Sequence, residues 1–355
     1  MNQLAKYRKF LAESEADAIL LTSEVNRRYA AGFHISEGMA LISEKECRYY
    51  TDSRYIEAAE KGLPDFSVRL VDRQHSYVQH LQQAVDDWNV ETIAYEEEDV
   101  SAGMLRRLED ALNVGFLPVQ DALSQFRQIK TADEIQCIVR AQEITDRTFS
   151  DILTVICEGM TEMDLKTELI YRLCKNGGEA PSFDPVVVFG PNSSMPHGVA
   201  GDRNLQNGDF ITMDFGCTVN GYCSDMTRTV ALGSATDEMR TVYDTVLQAQ
   251  LAGIAATKAG VCGCDVDAAA RQVIIDAGYG EFFGHGYGHG VGLEIHEQPN
   301  CSPSWEKPLP AGCVCSAEPG IYLPGKFGVR IEDMVVITED GCQNLTKSPK
   351  SLIIL

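Results

Sequence analysis

The strongest constraint on the fold is the dipeptide Asn220-Gly221, which separates two strand-like runs in the segment "DFITMDFGCTVNGYCSDMTRTVAL". Asn-Gly between alternating hydrophobic residues is typical of a two-residue β-hairpin turn. If this pair forms the turn, residues whose numbers sum to 441 lie opposite one another, so Asp214 faces Thr227 and Asp225 is a diagonal neighbour of Asp214. Because side chains alternate along a strand, both carboxylates are predicted to point to the same face.

A second hairpin is predicted to present two more acids in the same way. Glu318 in "SAEPGIY" and Glu332 in "GVRIED" flank a turn at Pro324-Gly325, and their separation of fourteen residues allows a common face. Each of the four acids lies inside an apolar run, where burying an unpaired charge is costly. Four such carboxylates would repel one another at neutral pH unless cations lay among them. We therefore expect a metal site rather than four separate solvated acids on edge strands.

Histidines are concentrated in the segment "GHGYGHGVGLEIHEQP", which holds His285, His289 and His296, three of the seven in the chain. The glycines between them allow the backbone to approach a ligand closely. Four carboxylates with a single imidazole suit Mn, Co, Fe or Zn, held as a pair and bridged by carboxylates. We expect one of these histidines to bind metal and the other two to contact the substrate.

The rest of the chain is predicted to form two domains, because 355 residues exceed one typical domain. In the first, helical patterns cover residues 2–15, 77–90 and 102–112, and strand patterns occur in "DAILLTS", "MALISEKECRYYTD", "VRLVD" and "ETIAYEE". In the second, Thr131 and Glu134 form a capping box that opens a helix to about residue 156. A second helix is predicted from Thr161, and a second helix pair over 237–258 and 266–277. The order is helix pair, strands, helix pair, strands.

The composition excludes several classes of partner. The formal net charge of -22 argues against binding to nucleic acid or to an anionic membrane, which requires clustered Lys and Arg. No apolar run near residue 1 suits a signal peptide or a membrane span, so we expect a cytoplasmic protein. The twelve cysteines are scattered and form no CxxC pair, and we expect reduced thiols packed as small hydrophobic residues.

Five motifs, taken together, closely resemble those of the pita-bread metallopeptidases, the family of aminopeptidase P, prolidase and methionine aminopeptidase. They are Asp214 in "MDFG", Asp225 in "YCSDMTRT", His289 in "GHGVGLEIHE", Glu318 in "AEPGIY" and Glu332 in "VRIED". The resemblance implies an α+β protein with an α/β creatinase-like N-terminal domain over 1–124. It implies a pita-bread catalytic domain over 125–355, built from duplicated helix pairs and an antiparallel sheet.

The resemblance also implies the division of metal ligands. Asp214, Asp225 and Glu332 would hold one divalent ion, and Asp225, His289, Glu318 and Glu332 the second. Manganese is the first expectation, with cobalt, iron or zinc as alternatives. A hydroxide bridging two such ions would be the nucleophile, with Glu318 as the proton shuttle.

Further site residues follow from the same resemblance. His197, in "MPHG", and His296 would stabilise the tetrahedral oxyanion, and His285 would line the pocket for the residue after the cleaved bond. Tyr322 and Arg330 would orient the metal-bound carboxylates.

The expected function is that of a cytoplasmic metalloexopeptidase, acting as a homodimer, that hydrolyses the bond between an N-terminal residue and a following proline. The substrate would be a peptide, and the sequence leaves open whether it is a dipeptide or longer. One alternative is a broader aminopeptidase that also removes N-terminal Met. Another is a non-catalytic peptide-binding module, against which the complete set of five ligands argues.

Overall fold

The computed structural model describes residues 3–355, which form two compact units. One unit ends at Arg127 and the other covers Gln128–Leu355. The first contains a mixed sheet with helices, and the second contains helix pairs and antiparallel sheets. The predicted α+β architecture with two domains is confirmed.

The N-terminal unit is built on a six-stranded sheet with the order β4-β3-β2-β1-β5-β6. The β1–β2 and β2–β3 pairs are antiparallel, whereas β1–β5, β5–β6 and β3–β4 are parallel. Its elements and the helix that follows are α1 (Gln3–Glu13), β1 (Ala18–Leu21), α2 (Glu24–Ala31), β2 (Met39–Ser43), β3 (Cys47–Thr51), α3 (Ile56–Gly62), β4 (Ser67–Leu70), α4 (Tyr77–Trp88), β5 (Thr92–Tyr95), α5 (Ala102–Ala111), β6 (Gly115–Pro118) and α6 (Gln120–Gln128).

Sequence patterns missed helices α2, α3 and α6 and strand β6. Helix α2 illustrates why such elements were missed. Its end signals are ordinary: Ser23 is the N-cap, and Gly32 is a left-handed C-cap. Its first turn is held by the buried carboxylate of Glu96, which accepts hydrogen bonds from the Ser23 backbone N–H and from Asn26 Nδ2. The buried face of α2 includes the polar residues Asn26 and Arg27, so the helix shows no clear apolar period in the sequence.

The second unit contains two helix pairs and four antiparallel arrays. Its sheets have the orders β11-β8-β7 and β13-β12-β14-β17-β18, and two-stranded ribbons are formed by β9 with β10 and by β15 with β16. The elements are α7 (Ala132–Ile152), α8 (Glu162–Lys175), β7 (Val186–Phe189), a 3-10 turn (Gly190–Ser194), β8 (Phe210–Phe215), β9 (Thr218–Val219), β10 (Tyr222–Cys223), β11 (Met226–Ala231), α9 (Asp237–Ala256), α10 (Gly263–Asp276), a second 3-10 turn (Gly280–Phe282), β12 (Gly288–Gly290), β13 (Glu297–Cys301), β14 (Val314–Ala317), β15 (Gly320–Leu323), β16 (Phe327–Arg330), β17 (Asp333–Ile337) and β18 (Cys342–Asn344).

Each helix pair packs its own hydrophobic core. Phe149 of α7 and Leu169 of α8 are buried with Phe215 of β8, while Tyr243 of α9 and Ile274 of α10 are buried in a separate cluster. The predicted order of helix pairs and strands is confirmed. The Thr131 capping box also forms, although helix α7 ends at Ile152, before residue 156.

The first hairpin has the predicted register. Asp214 pairs with Thr227, and the ribbon at the turn continues the same count with Tyr222 opposite Val219. Asn220 and Gly221 both have positive φ, 48° and 76°, as a type I′ turn requires. The hairpin is not one continuous ladder. Strands β8 and β11 pair at its base and β9 and β10 pair beside the turn, with unpaired residues between the two ladders. Asp225 lies at this interruption, immediately before β11.

The second hairpin places its two acids at equivalent positions. Gly320 pairs with Arg330 and Ala317 with Asp333, so Glu318 and Glu332 occupy equivalent positions between these pairs, although their backbone N–H groups bond to Tyr287 and Thr227 instead. Both acids therefore lie where the β15–β16 ribbon joins the five-stranded sheet.

The twelve cysteines are free thiols in the structure, and Cys217 and Cys223 beside the first hairpin turn are buried. Among residues 3–355, no helix has the length and apolar character needed to cross a lipid bilayer.

Candidate metal centre

The two hairpins and the histidine-rich segment meet at one cavity of about 580 Å³. The residues that line it include nine of the ten predicted site residues: His197, Asp214, Asp225, His285, His289, His296, Glu318, Arg330 and Glu332. The tenth, Tyr322, contacts two of these through its hydroxyl group.

Ligand-type atoms converge at the floor of this cavity. One ligand atom from each of Asp225, His289 and Glu332 lies within 4.8 Å of the other two. His289 Nε2 is 3.1 Å from Glu318 Oε1 and 3.7 Å from Asp225 Oδ2. Asp214 of β8 lines the same cavity.

Unpaired carboxylate oxygens make this cluster suitable for cations. Asp214 Oδ1, Asp225 Oδ1 and Glu332 Oε1 are buried and accept no hydrogen bond from any residue in 3–355. A buried carboxylate oxygen without a partner is costly, and a metal ion would satisfy it. Several hard oxygen donors with one imidazole nitrogen form a donor set suited to divalent transition metals. The residues present therefore fit the metal centre that the sequence predicted.

The pKa values of these groups are shifted by burial and by the neighbouring charges. Burial raises the pKa of Asp225 and of Glu332 well above the usual value, and neighbouring carboxylates raise both further. Burial opposes ionisation of Glu318 as well, but its hydrogen bond with His289 and the charge of that ring lower its pKa to about 2. The same contact raises the pKa of His289 to about 9 against the effect of burial. Without metal, a proton on His289 serves as a counter-charge to Glu318 and Asp225.

Arg330 connects the carboxylates to the rest of the site. It is buried, and its Nη2 donates to Asp214 Oδ2 at 2.6 Å, while its Nε donates to Thr227 Oγ1 at 2.9 Å. Thr227 Oγ1 in turn donates to Glu332 Oε2 at 2.7 Å. One guanidinium therefore contacts Asp214 of the first hairpin directly and Glu332 of the second hairpin through Thr227.

Tyr322 extends this network to His285. Arg330 Nη1 donates to the Tyr322 hydroxyl at 2.8 Å, and that hydroxyl lies 2.9 Å from His285 Nε2. His285 Nδ1 is 2.8 Å from the Gly286 carbonyl oxygen, so Nδ1 carries the proton and Nε2 accepts from Tyr322. Burial lowers the pKa of His285, which favours this neutral form.

The comparisons with known proteins agree with this geometry. Residues 136–339 match the metallopeptidase family M24, and residues 3–129 match the creatinase/prolidase N-terminal domain. The chain belongs to the M24 metallopeptidase family.

Among its relatives is a Xaa-Pro dipeptidase of Pyrococcus furiosus, 36% identical with 99% of each chain covered. A solved Xaa-Pro dipeptidase of Bacillus anthracis superposes with a TM-score of 0.96 at 38% identity, covering 99% of each chain. A solved X-Pro aminopeptidase of Thermotoga maritima has a TM-score of 0.92 at 40% identity, covering 98% of this chain and 100% of its own.

Two further histidines of this M24 metallopeptidase face the cavity. The ring of His296 lies 4.4 Å from that of His289 in an edge-on arrangement. Partial burial and the neighbouring His289 lower the pKa of His296. His197 is exposed and follows the first 3-10 turn.

Sequence patterns missed two hydroxyl residues that contact the predicted metal ligands. Thr227 was expected opposite Asp214, but its bonds to Arg330 and Glu332 were not. Ser316 Oγ accepts from the His289 backbone N–H and donates to Glu318 Oε1, both at 3.0 Å. The period of strand β14 places Ser316 on the same face as Glu318, which was the available signal.

Proposed function

We propose that this metallopeptidase hydrolyses the bond between an N-terminal residue and a following proline, using two divalent metal ions, with manganese as the first candidate. The observation that supports the proposal is the convergence of the four predicted acids and four histidines on one cavity, with three buried carboxylate oxygens unpaired. The activities of its relatives, Xaa-Pro dipeptidases and an X-Pro aminopeptidase, support the proposed Xaa-Pro specificity. A cavity of about 580 Å³ has the size of a site for a small ligand.

The proposed ligands of the first ion are Asp214, Asp225 and Glu332, and those of the second are Asp225, His289, Glu318 and Glu332. When bound, the ions would lower the pKa of a shared water so that it can attack the scissile carbonyl at neutral pH.

The remaining roles belong to side chains of the cavity wall. Glu318 would carry the proton of the attacking water toward the proline nitrogen, which must be protonated to leave. His296 and His197 would donate hydrogen bonds to the oxyanion that develops on the carbonyl. His285 would line the pocket of the proline ring, held in one orientation by Tyr322.

A peptide panel tests this proposal. The metal-free protein would be loaded with Mn, Co, Fe or Zn, and cleavage of Xaa-Pro, Xaa-Pro-Yaa and Met-Ala-Yaa would be measured together with the metal content. We expect two ions per chain and cleavage of a proline-containing peptide but not of Met-Ala-Yaa. Cleavage of Met-Ala-Yaa would favour the broader aminopeptidase. No cleavage with any metal, despite two bound ions, would support the non-catalytic peptide-binding module instead.

The oligomeric state and the cellular location are proposed from the family resemblance. We propose a homodimer in the cytoplasm, with the peptide substrate and a second copy of the chain as its partners.

A further inference from the structure

The segment of residues 190–201, called here the His197 segment, connects β7 to the strands that follow and carries His197 into the cavity wall. The His197 imidazole makes no hydrogen bond with any residue in 3–355, and the residue is exposed. Its position therefore depends on how the backbone of the segment is held.

Both ends of the His197 segment are bound to one buried carboxylate. Glu162, the first residue of α8, is fully buried. Its Oε1 accepts hydrogen bonds from the Phe189 backbone N–H at 2.8 Å and from Asn192 Nδ2 at 2.9 Å. Its Oε2 accepts one from the Gly201 backbone N–H at 2.9 Å. A single side chain thus closes the segment into a loop.

The chemistry of these contacts requires a carboxylate. Three donors converge on Glu162, and a carboxylate is an acceptor at both oxygens. Because Glu162 lies in the first turn of α8, the helix dipole and the three N–H groups compensate its charge. A glutamine of the same size could satisfy one side only, since its amide nitrogen would face a donor on the other.

The middle of the His197 segment is tied to the metal centre itself. Arg330 Nη1 donates to the Pro196 carbonyl oxygen at 3.3 Å, one residue before His197. Ser193 Oγ accepts from the Gly328 backbone N–H at 2.8 Å and donates to the Gly190 carbonyl at 2.6 Å. Glu162 holds the ends while these contacts hold the centre, so the backbone at His197 is fixed relative to Arg330.

We propose that Glu162 is a positioning residue for the reaction and acts through His197. It would hold the imidazole where the oxyanion forms without touching substrate or metal. The proposal rests on the function proposed above for His197, but the position of the imidazole can be measured independently of that function.

The first test is a histidine spectrum of the metal-free protein. We expect Glu162→Gln to shift or broaden the imidazole Cε1–H signal of His197, assigned with His197→Ala, and to leave those of His285 and His296 in place. Asp164→Asn is the matched control, because it removes one negative charge from the same turn of α8 and has no contact with the His197 segment. An unchanged His197 signal in Glu162→Gln would overturn the proposal.

The second test is a mutant cycle on the metal-loaded enzyme. We expect Glu162→Gln to lower kcat by about 10- to 100-fold, with two ions still bound, because a misplaced oxyanion donor costs rate rather than metal affinity. In the His197→Ala background the same change should cost less than about threefold. If the losses in kcat from Glu162→Gln and His197→Ala multiply in the double variant, Glu162 does not act through His197.

Asn192→Ala removes one of the three hydrogen-bond donors to Glu162 and should lower kcat by a smaller factor than Glu162→Gln. If Glu162→Gln does not fold, both tests can be made with Asn192→Ala. If His197→Ala leaves kcat unchanged, the oxyanion role of His197 fails, and the histidine spectrum alone decides whether Glu162 positions it.

Discussion

At the residue scale, the His289–Glu318 contact links metal binding to pH. In the metal-free protein the pKa of His289 is about 9, so its imidazole is protonated at pH 7, whereas a metal ligand must be neutral. The raised pKa values of Asp225 and Glu332 act in the same direction. Raising the pH toward 9 removes protons that compete with the metal, and lowering the pH restores them.

We therefore expect metal binding at pH 7 to release about one proton per chain or more, and affinity to increase from pH 6 to pH 9. Isothermal titration calorimetry of Mn²⁺ binding in two buffers with different ionisation enthalpies measures the proton count. Affinity that is independent of pH, with no proton release, would contradict the charge state described for this cluster.

The candidate ligands could be found from the sequence because each is an acid or a histidine where the pattern calls for an apolar or neutral residue. Thr227 and Ser316 could not be found in this way, because a hydroxyl in a strand is ordinary. Their roles depend on partners such as Glu332, which lies more than one hundred residues from Thr227.

At the scale of elements, the two strands of the first hairpin pack closely at the interruption, where Gly216 follows β8 and lies across from Asp225. A Cβ at this position would lie 1.8 Å from the Ser224 carbonyl oxygen and 2.5 Å from Ser182 Oγ. Neither distance is compatible with a side chain, so an alanine must push the two strands apart.

We expect Gly216→Ala to displace Asp225, to lower metal content, and to reduce the free energy of unfolding by about 1–3 kcal/mol. Elemental analysis and chemical denaturation measure the two effects. Gly341→Ala is the control, because a Cβ at Gly341 meets no atom within 4 Å. Normal metal content in Gly216→Ala would show that the hairpin can open without moving Asp225.

The same hairpin shows which features of a strand pair can be predicted from the sequence. Asn220-Gly221 specifies its turn and register locally, because both residues accept the positive φ of a type I′ turn. The close approach of Gly216 to Ser224 at the interruption is a tertiary contact that no short-range sequence pattern predicts.

At the scale of the whole catalytic unit, Asp333 joins elements from distant parts of the chain. It is fully buried and pairs with Arg228 of β11 and with Lys350 near the C-terminus, both at 2.7 Å. Gln250 of α9 also donates to it. Burial raises the pKa of Asp333, but the attraction of Arg228 and Lys350 outweighs it, and the net pKa is lowered.

A lowered folded-state pKa contributes stability above the ordinary carboxyl pKa of about 3.9, and this contribution is lost as the pH falls. We expect Asp333→Asn to lower the free energy of unfolding at pH 7 by about 3–5 kcal/mol, since it leaves the buried Arg228 without its counter-charge. Denaturation at pH 7 and pH 3.5 should also show a weaker acid destabilisation in the variant. Asp340→Asn, at an exposed position, serves as the control. Equal losses of unfolding free energy in Asp333→Asn and Asp340→Asn would refute a special role for the buried ion pair.

The sequence by itself determined the register of the first hairpin and the four acids that the cavity brings together. These follow from local rules, namely turn chemistry, strand periodicity and the cost of an acid in an apolar run. Only the tertiary structure decided how the site is held. The bonds of Arg330 to Asp214 and Tyr322, and the closure of the His197 segment by Glu162, join residues that no periodicity relates. Such contacts exist only once separate strands and helices pack together, because hydrogen-bonding geometry is set by folding and not by spacing along the chain.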